Sequence, residues 1–177
     1  MPTKMKSFTA FSLVMTFAFI ALYMSLKADI LYTLSITFGT ISYHFVFRLI
    51  VGAFVNAVCK EPNCQNAWFR QKAFEPALYN FLRVMRWKRH LPTYNPDSYD
   101  PSLHTWDEII KTMCRSELVH EINVVLSFLP MLTVRWFGSF TAFLITSVLA
   151  AAFDLLFVIV QRYNRPRVIK LAQRRRA

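Results

Sequence analysis

The chain has 177 residues, 55% of them hydrophobic and only three of them glycine, and it carries a formal net charge of +11. In a soluble protein that charge would point to nucleic acid. Here Lys and Arg flank long apolar runs, as charges facing anionic headgroups do, so membrane lipids replace nucleic acid as the expected partner.

A helical run of about 20 apolar residues crosses about 30 Å of hydrocarbon. Most of the chain is committed to such runs. The remainder is too short and too poor in aliphatic residues for a separate soluble core, so a single membrane domain over 1–177 is expected.

The first run, 8–26, follows Lys4 and Lys6. It is longer than the apolar region of a signal peptide and no small-x-small cleavage site follows, so it reads as a span. Lys27 and Asp29 make a short turn. The second span is expected over 30–58. Tyr32, Ser35, Thr37, Thr40, Ser42 and Tyr43 make it too polar to be bathed in lipid, which predicts a face against protein or a cavity.

The segment 59–115 is punctuated by Pro62, Pro76, Pro92, Pro96 and Pro101. Between Pro76 and Pro92 the pattern predicts one basic amphipathic helix in the membrane interface. Leu78, Phe81, Leu82, Met85 and Leu91 share one face, Arg83, Arg86, Lys88 and Arg89 lie elsewhere, and Trp87 marks the boundary. A turn-rich loop follows from Thr93 to Ser102. A second short helix is expected over Thr105–Cys114, with Asp107 and Glu108 at its positive end.

The third span is expected over 116–133, with Glu117, His120 and Glu121 in its first turns and Pro130 near its end. Arg135 and Trp136 form the next turn. The fourth span, 137–160, contains Asp154 and runs into a basic tail. The fold class is therefore all-α: a bundle of four transmembrane helices with an amphipathic helix on the cytoplasmic side.

Four spans place both termini and the central segment on one side. That side receives Lys4, Lys6, Lys60, Arg70, Lys72, Arg83, Arg86, Lys88, Arg89, Lys111, Arg115 and every basic residue after Val160; the other receives Lys27 and Arg135. Short basic loops stay inside, so that side is expected to be cytoplasmic. Cys59, Cys64 and Cys114 are odd in number and lack zinc-site spacing, and they are read as free thiols.

Ionisable residues within spans are costly and face a cavity or a partner. Glu117 and His120 are three apart and share much of one helix face, with Glu121 alongside. A histidine held by a carboxylate suits a general base, because the carboxylate fixes the tautomer and stabilises the imidazolium. The competing reading is an interfacial salt-bridge cluster neutralised by Arg115. No metal is expected: a His-Glu pair is present, but Val124 occupies the position where HExxH needs its second histidine. His44 and Arg48, four apart, point from one face of the second span. Arg48 is balanced between holding an anionic substrate group and pairing with Asp154.

Three segments then carry a resemblance: RVMRWKRHLP (Arg83–Pro92), CRSELVHE (Cys114–Glu121) and VQRYNRPRV (Val160–Val168). In this order they resemble the glycosyl-4,4'-diaponeurosporenoate acyltransferase family of bacterial membrane proteins, over roughly Arg83 to Leu171. The resemblance implies transfer of a fatty acyl group to a sugar hydroxyl on a carotenoid glycolipid, in the bacterial cell membrane. No bound cofactor is implied; acyl-CoA or acyl-carrier protein would be a co-substrate. By motif it points to Glu117, His120, Trp87, Lys88, Gln161, Arg162, Tyr163, Asn164, Arg165 and Arg167. With the residue-level reading, His120, Glu117 and Glu121 become the catalytic candidates. His44 and Arg48 join the motif residues as candidates for substrate binding. The alternatives are another small membrane lipid-modifying enzyme (a methyltransferase or reductase) and a non-catalytic membrane adaptor.

Overall fold

A computed structural model describes residues 2–93 and 95–176. Seven α-helices occur among them: α1 (Pro2–Leu26), α2 (Asp29–Val58), α3 (Glu75–Phe81), α4 (Val84–Trp87), α5 (Trp106–Leu126), α6 (Val134–Phe137) and α7 (Phe140–Arg176). Short 3-10 turns lie at Lys88–His90, Pro96–Tyr99 and Leu129–Thr133, and no strand occurs among the described residues. Four stretches are long and apolar enough to cross a membrane: Lys4–Leu26, Asp29–Val58, Trp106–Phe137 and Phe140–Arg175. The protein is an all-α, multi-pass membrane protein.

Burial shows the same solvent preference. Phe8, Phe11, Val14, Phe17, Leu22, Phe54, Val125 and Leu149 are exposed, while Thr9, Ser12, Ser35, Thr40 and Ser42 are buried. Water would impose the reverse order. In lipid, large apolar side chains face the tails and small residues line helix contacts, because close backbone approach rather than hydrophobic burial drives association. The hydroxyls are satisfied along their own helices, as in Thr9 Oγ1 to the Met5 carbonyl and Thr40 Oγ1 to the Ile36 carbonyl.

The chain divides into two compact units, 1–51 with 122–154 and 52–121 with 155–177. In the first unit, Thr16 Oγ1 and Ser42 Oγ lie 3.1 Å apart across α1 and α2, and Tyr43 donates to the Leu126 carbonyl at 2.9 Å. Gly39 faces Thr16, where a Cβ would just reach van der Waals contact. α6 ends at Gly138, whose φ of 71° is the left-handed cap that glycine adopts without strain.

In the second unit, Tyr79, Val84 and Tyr163 form a small core packed against Leu82, Trp87 and Ile159. α5 opens with a capping box: Glu108 N–H donates to Thr105 Oγ1 at 3.3 Å and Thr105 N–H to Glu108 Oε2 at 2.8 Å.

Four expectations change here. The short helix at Thr105–Cys114 and the start of the third span are one continuous helix, Trp106–Leu126, which ends before Pro130 rather than at 133. The helix that carries the fourth span does not stop near Val160. α7 continues through Pro166, and its 37 residues extend about 55 Å, far more than the hydrocarbon needs. The segment between Pro76 and Pro92 is not one helix, because Arg83 takes a left-handed conformation (φ 50°) between α3 and α4. That break turns Tyr79 and Val84 inward and leaves Phe81 and Met85 exposed, instead of lining all the apolar residues along one face. Finally, Cys64 and Cys114 form a disulfide, and Cys59 is the free cysteine among the three. The expected loop at Thr93–Ser102 includes Tyr94, which lies outside the described residues; Pro96–Tyr99 within it forms a 3-10 turn.

Candidate functional site

α5 and α7 supply opposite charges to the second unit. Glu117, on α5, is fully buried, and both of its oxygens are engaged: Oε1 accepts from Arg162 Nη1 at 2.6 Å and Oε2 from Arg165 Nη1. The arginines are three positions apart, so both project from one side of α7. Arg162 also reaches Glu75, Nε to Oε1 at 2.8 Å, and donates to the carbonyls of Trp68 and Arg70 at 3.2 Å. Arg165, 2% exposed, donates to the Phe69 carbonyl and lies over the Phe69 ring. The loop before α3 is thus held by two guanidiniums whose planar forks match several carbonyl acceptors at once.

Glu75 is the partner that sequence reasoning missed. It directly precedes Pro76, is 3% exposed and accepts from Arg162 and from the Tyr79 hydroxyl, both at 2.8 Å. Burial and the hydrogen bond to Glu75 hold the Tyr79 phenol well above its ordinary range, so it stays a donor. Glu121 accepts from Trp68 Nε1 at 2.8 Å and lies 3.8 Å from Arg162 Nη1. Arg115, expected to neutralise Glu117 or Glu121, donates to Thr112 Oγ1 instead. Arg162 and Arg165 take that role because the long helix α7 delivers them to the buried carboxylate.

His120 is half-buried. Its ring lies flat on Phe157, with centroids 4.6 Å apart and planes within 10°. Packing against an aromatic face fixes the imidazole plane. Gln161 is buried and donates to Tyr99 Oη and Ser116 Oγ, both at 3.3 Å. Lys88 donates to Asn164 Oδ1 at 2.8 Å, and Trp87 Nε1 donates to the Leu82 carbonyl at 2.9 Å. Glu117, Glu121, His120, Trp87, Lys88 and the whole Gln161–Arg167 motif therefore belong to one unit.

His44 and Arg48 belong to the other unit. Arg48 pairs with Asp154, Nη2 to Oδ2 at 2.6 Å and Nε to Oδ2 at 3.0 Å, and donates to the Ala150 carbonyl at 3.0 Å. Of the two alternatives for Arg48, the ion pair with Asp154 is the one this structure contains. A cavity of about 10 Å³, the size of one water, lies among Tyr43, His44, Asn123 and Asp154. His44 Nε2 and Asn123 Oδ1 are buried there with no hydrogen-bond partner among the described residues.

The family described as glycosyl-4,4'-diaponeurosporenoate acyltransferase matches residues 65–174. No curated protein and no solved structure matches the chain.

Proposed function

The chain belongs to the glycosyl-4,4'-diaponeurosporenoate acyltransferase family and is a membrane acyltransferase, and from that premise we propose that it moves a fatty acyl group to a hydroxyl of a lipid-linked sugar or similar lipid acceptor, with His120 as general base. The observation that carries the reading is the match over 65–174, which spans His120, the carboxylate–arginine cluster and the Gln161–Arg167 motif. A thioester such as acyl-CoA or acyl-carrier protein is the donor. The imidazole takes the proton of the attacking hydroxyl, the hydroxyl oxygen bonds to the thioester carbonyl carbon, and the thiolate leaves and recovers that proton. Ester and free thiol are the products.

Separate roles for the charged residues are supported by their burial and partners. Glu117 is closed to substrate by two arginines, whereas His120 is half-buried on a rigid aromatic support. Glu117 therefore holds the architecture that presents His120, and Glu121 steadies Trp68 beside it. The test is purified protein in bilayers supplied with acyl-CoA and a glycosylated carotenoid acid. Formation of the acyl ester with release of free thiol is expected; a bound but unmodified acceptor would overturn the reading in favour of an adaptor.

The same proposal places both termini and the 59–113 segment in the cytoplasm of a bacterial cell, from the Lys and Arg asymmetry. The Cys64–Cys114 bridge weighs the other way, because disulfides favour oxidising compartments. The charge rule rests on many residues and is the stronger argument. Cys59, the free thiol, is expected to resist an impermeant maleimide applied to intact cells and to react after lysis. Labelling from outside would invert the topology.

A further inference from the structure

α7 brings three arginines to its motif, and two of them meet carboxylates. Arg162 faces Glu75 and Glu117, and Arg165 faces Glu117. Arg167 is exposed and stacks on Tyr163 instead, its Cζ 3.6 Å from the ring centroid. Its hydrogen bond to the Tyr163 carbonyl is long, at 3.4 Å. Lys88 comes to the same ring from the 3-10 turn after α4, with Nζ 4.6 Å from the centroid.

One aromatic ring thus holds two cations, and among the described residues no carboxylate pairs with either. The arrangement is fixed: Tyr163 is buried and meets Tyr79 edge-on at 5.3 Å, so the ring cannot swing away to relieve the repulsion. Asn164 Oδ1 occupies one of the three Lys88 donors. Burial, then the charges of Arg167 and Arg89, hold the Lys88 ammonium below its ordinary pKa. The ring faces attract the cations but do not neutralise them.

We infer that Lys88 and Arg167, mounted on Tyr163 and aligned by Asn164, form a binding site for a phosphate group. An ammonium supplies a compact charge and a guanidinium a planar fork, and a phosphate presents enough oxygens to use both. Two sources carry that chemistry at a membrane surface: a phospholipid headgroup and the phosphorylated carrier of an acyl thioester. The second source rests on the acyltransfer reading above; the site itself does not.

The experiment uses the full chain in maltoside micelles, which contain no phosphate, and inorganic pyrophosphate as the probe, titrated calorimetrically. Saturable binding is expected, weakened by about tenfold in Lys88→Gln and in Arg167→Gln and further in the double variant. Arg174→Gln removes the same charge from the exposed end of α7 and should leave affinity within about twofold. Displacement of pyrophosphate by palmitoyl-CoA at lower concentration than by phosphatidylglycerol assigns the phosphate to the acyl carrier; the reverse order assigns it to a headgroup. Equal affinity in the wild-type protein and both single variants would overturn the site, and so would equal weakening by Arg174→Gln. If one variant fails to melt cooperatively, the other single variant carries the comparison. Because binding is read without turnover, a silent acyl-transfer assay leaves this result intact.

Discussion

His120→Ala is expected to insert and fold like the parent protein while acyl transfer falls by roughly 10²–10⁴-fold, the range for losing a general acid–base group. Folding should survive because the bonds of the carboxylate–arginine cluster run between Glu75, Glu117, Arg162 and Arg165 and do not pass through His120. Donor binding should change little, so the deficit should appear in turnover at saturating substrate. The measurement is ester formation by reconstituted variant and parent, with thermal melting in the same detergent. Near-normal transfer by a folded His120→Ala protein would remove the histidine from the mechanism.

Glu117→Ala is expected to act in the opposite way, by unfolding. Its carboxylate is fully buried and accepts from both guanidiniums, and Arg165 is itself 2% exposed. Removing it leaves Arg165 with no carboxylate partner among the described residues, and Arg162 with Glu75 and, at 3.8 Å, Glu121. Breaking a buried pair from one side costs about 3–5 kcal/mol, whereas replacing both partners by apolar residues is often neutral. Melting should therefore fall sharply for Glu117→Ala, and Glu117→Leu combined with Arg165→Met should recover part of the loss. A Glu117→Ala protein that melts like the parent yet transfers no acyl group would contradict the architectural role and put the carboxylate into the chemistry.

These two expectations separate residues that the sequence presents as one group. Glu117, His120 and Glu121 lie within two turns of α5, and spacing alone makes them neighbours. Burial and partners divide them, and both come from remote parts of the chain: Arg162 and Arg165 from α7, and Trp68 and Glu75 from the loop and helix after α2. The errors have the same origin. Charges around Arg115 look like a helix boundary, because an unpaired charge in a span is costly. α5 runs through them without a break since partners arrive from elsewhere. Arg83 reads as one more residue of an amphipathic helix, and nothing in its side chain announces a left-handed backbone. The Cys64–Cys114 bridge joins residues fifty positions apart, a pairing that spacing cannot specify.

By itself the sequence determined the membrane class, the four crossing segments and the motifs that lead to the family, because each depends on a local property: an uninterrupted apolar length or a short run of residue types. The continuation of α7 through the motif came from the structure, and with it helical period separates the arginines: Arg162 and Arg165 share a side of α7 while Arg167 lies roughly 200° around from Arg165. Only the tertiary structure decided what meets each side. It set Glu117 and Glu75 against the first two arginines, Asp154 against Arg48, and an aromatic ring with a second cation against Arg167. The physical reason is that a buried charge is defined by its partner, and the carboxylate partners and Lys88 are brought to these arginines by folding rather than by proximity along the chain.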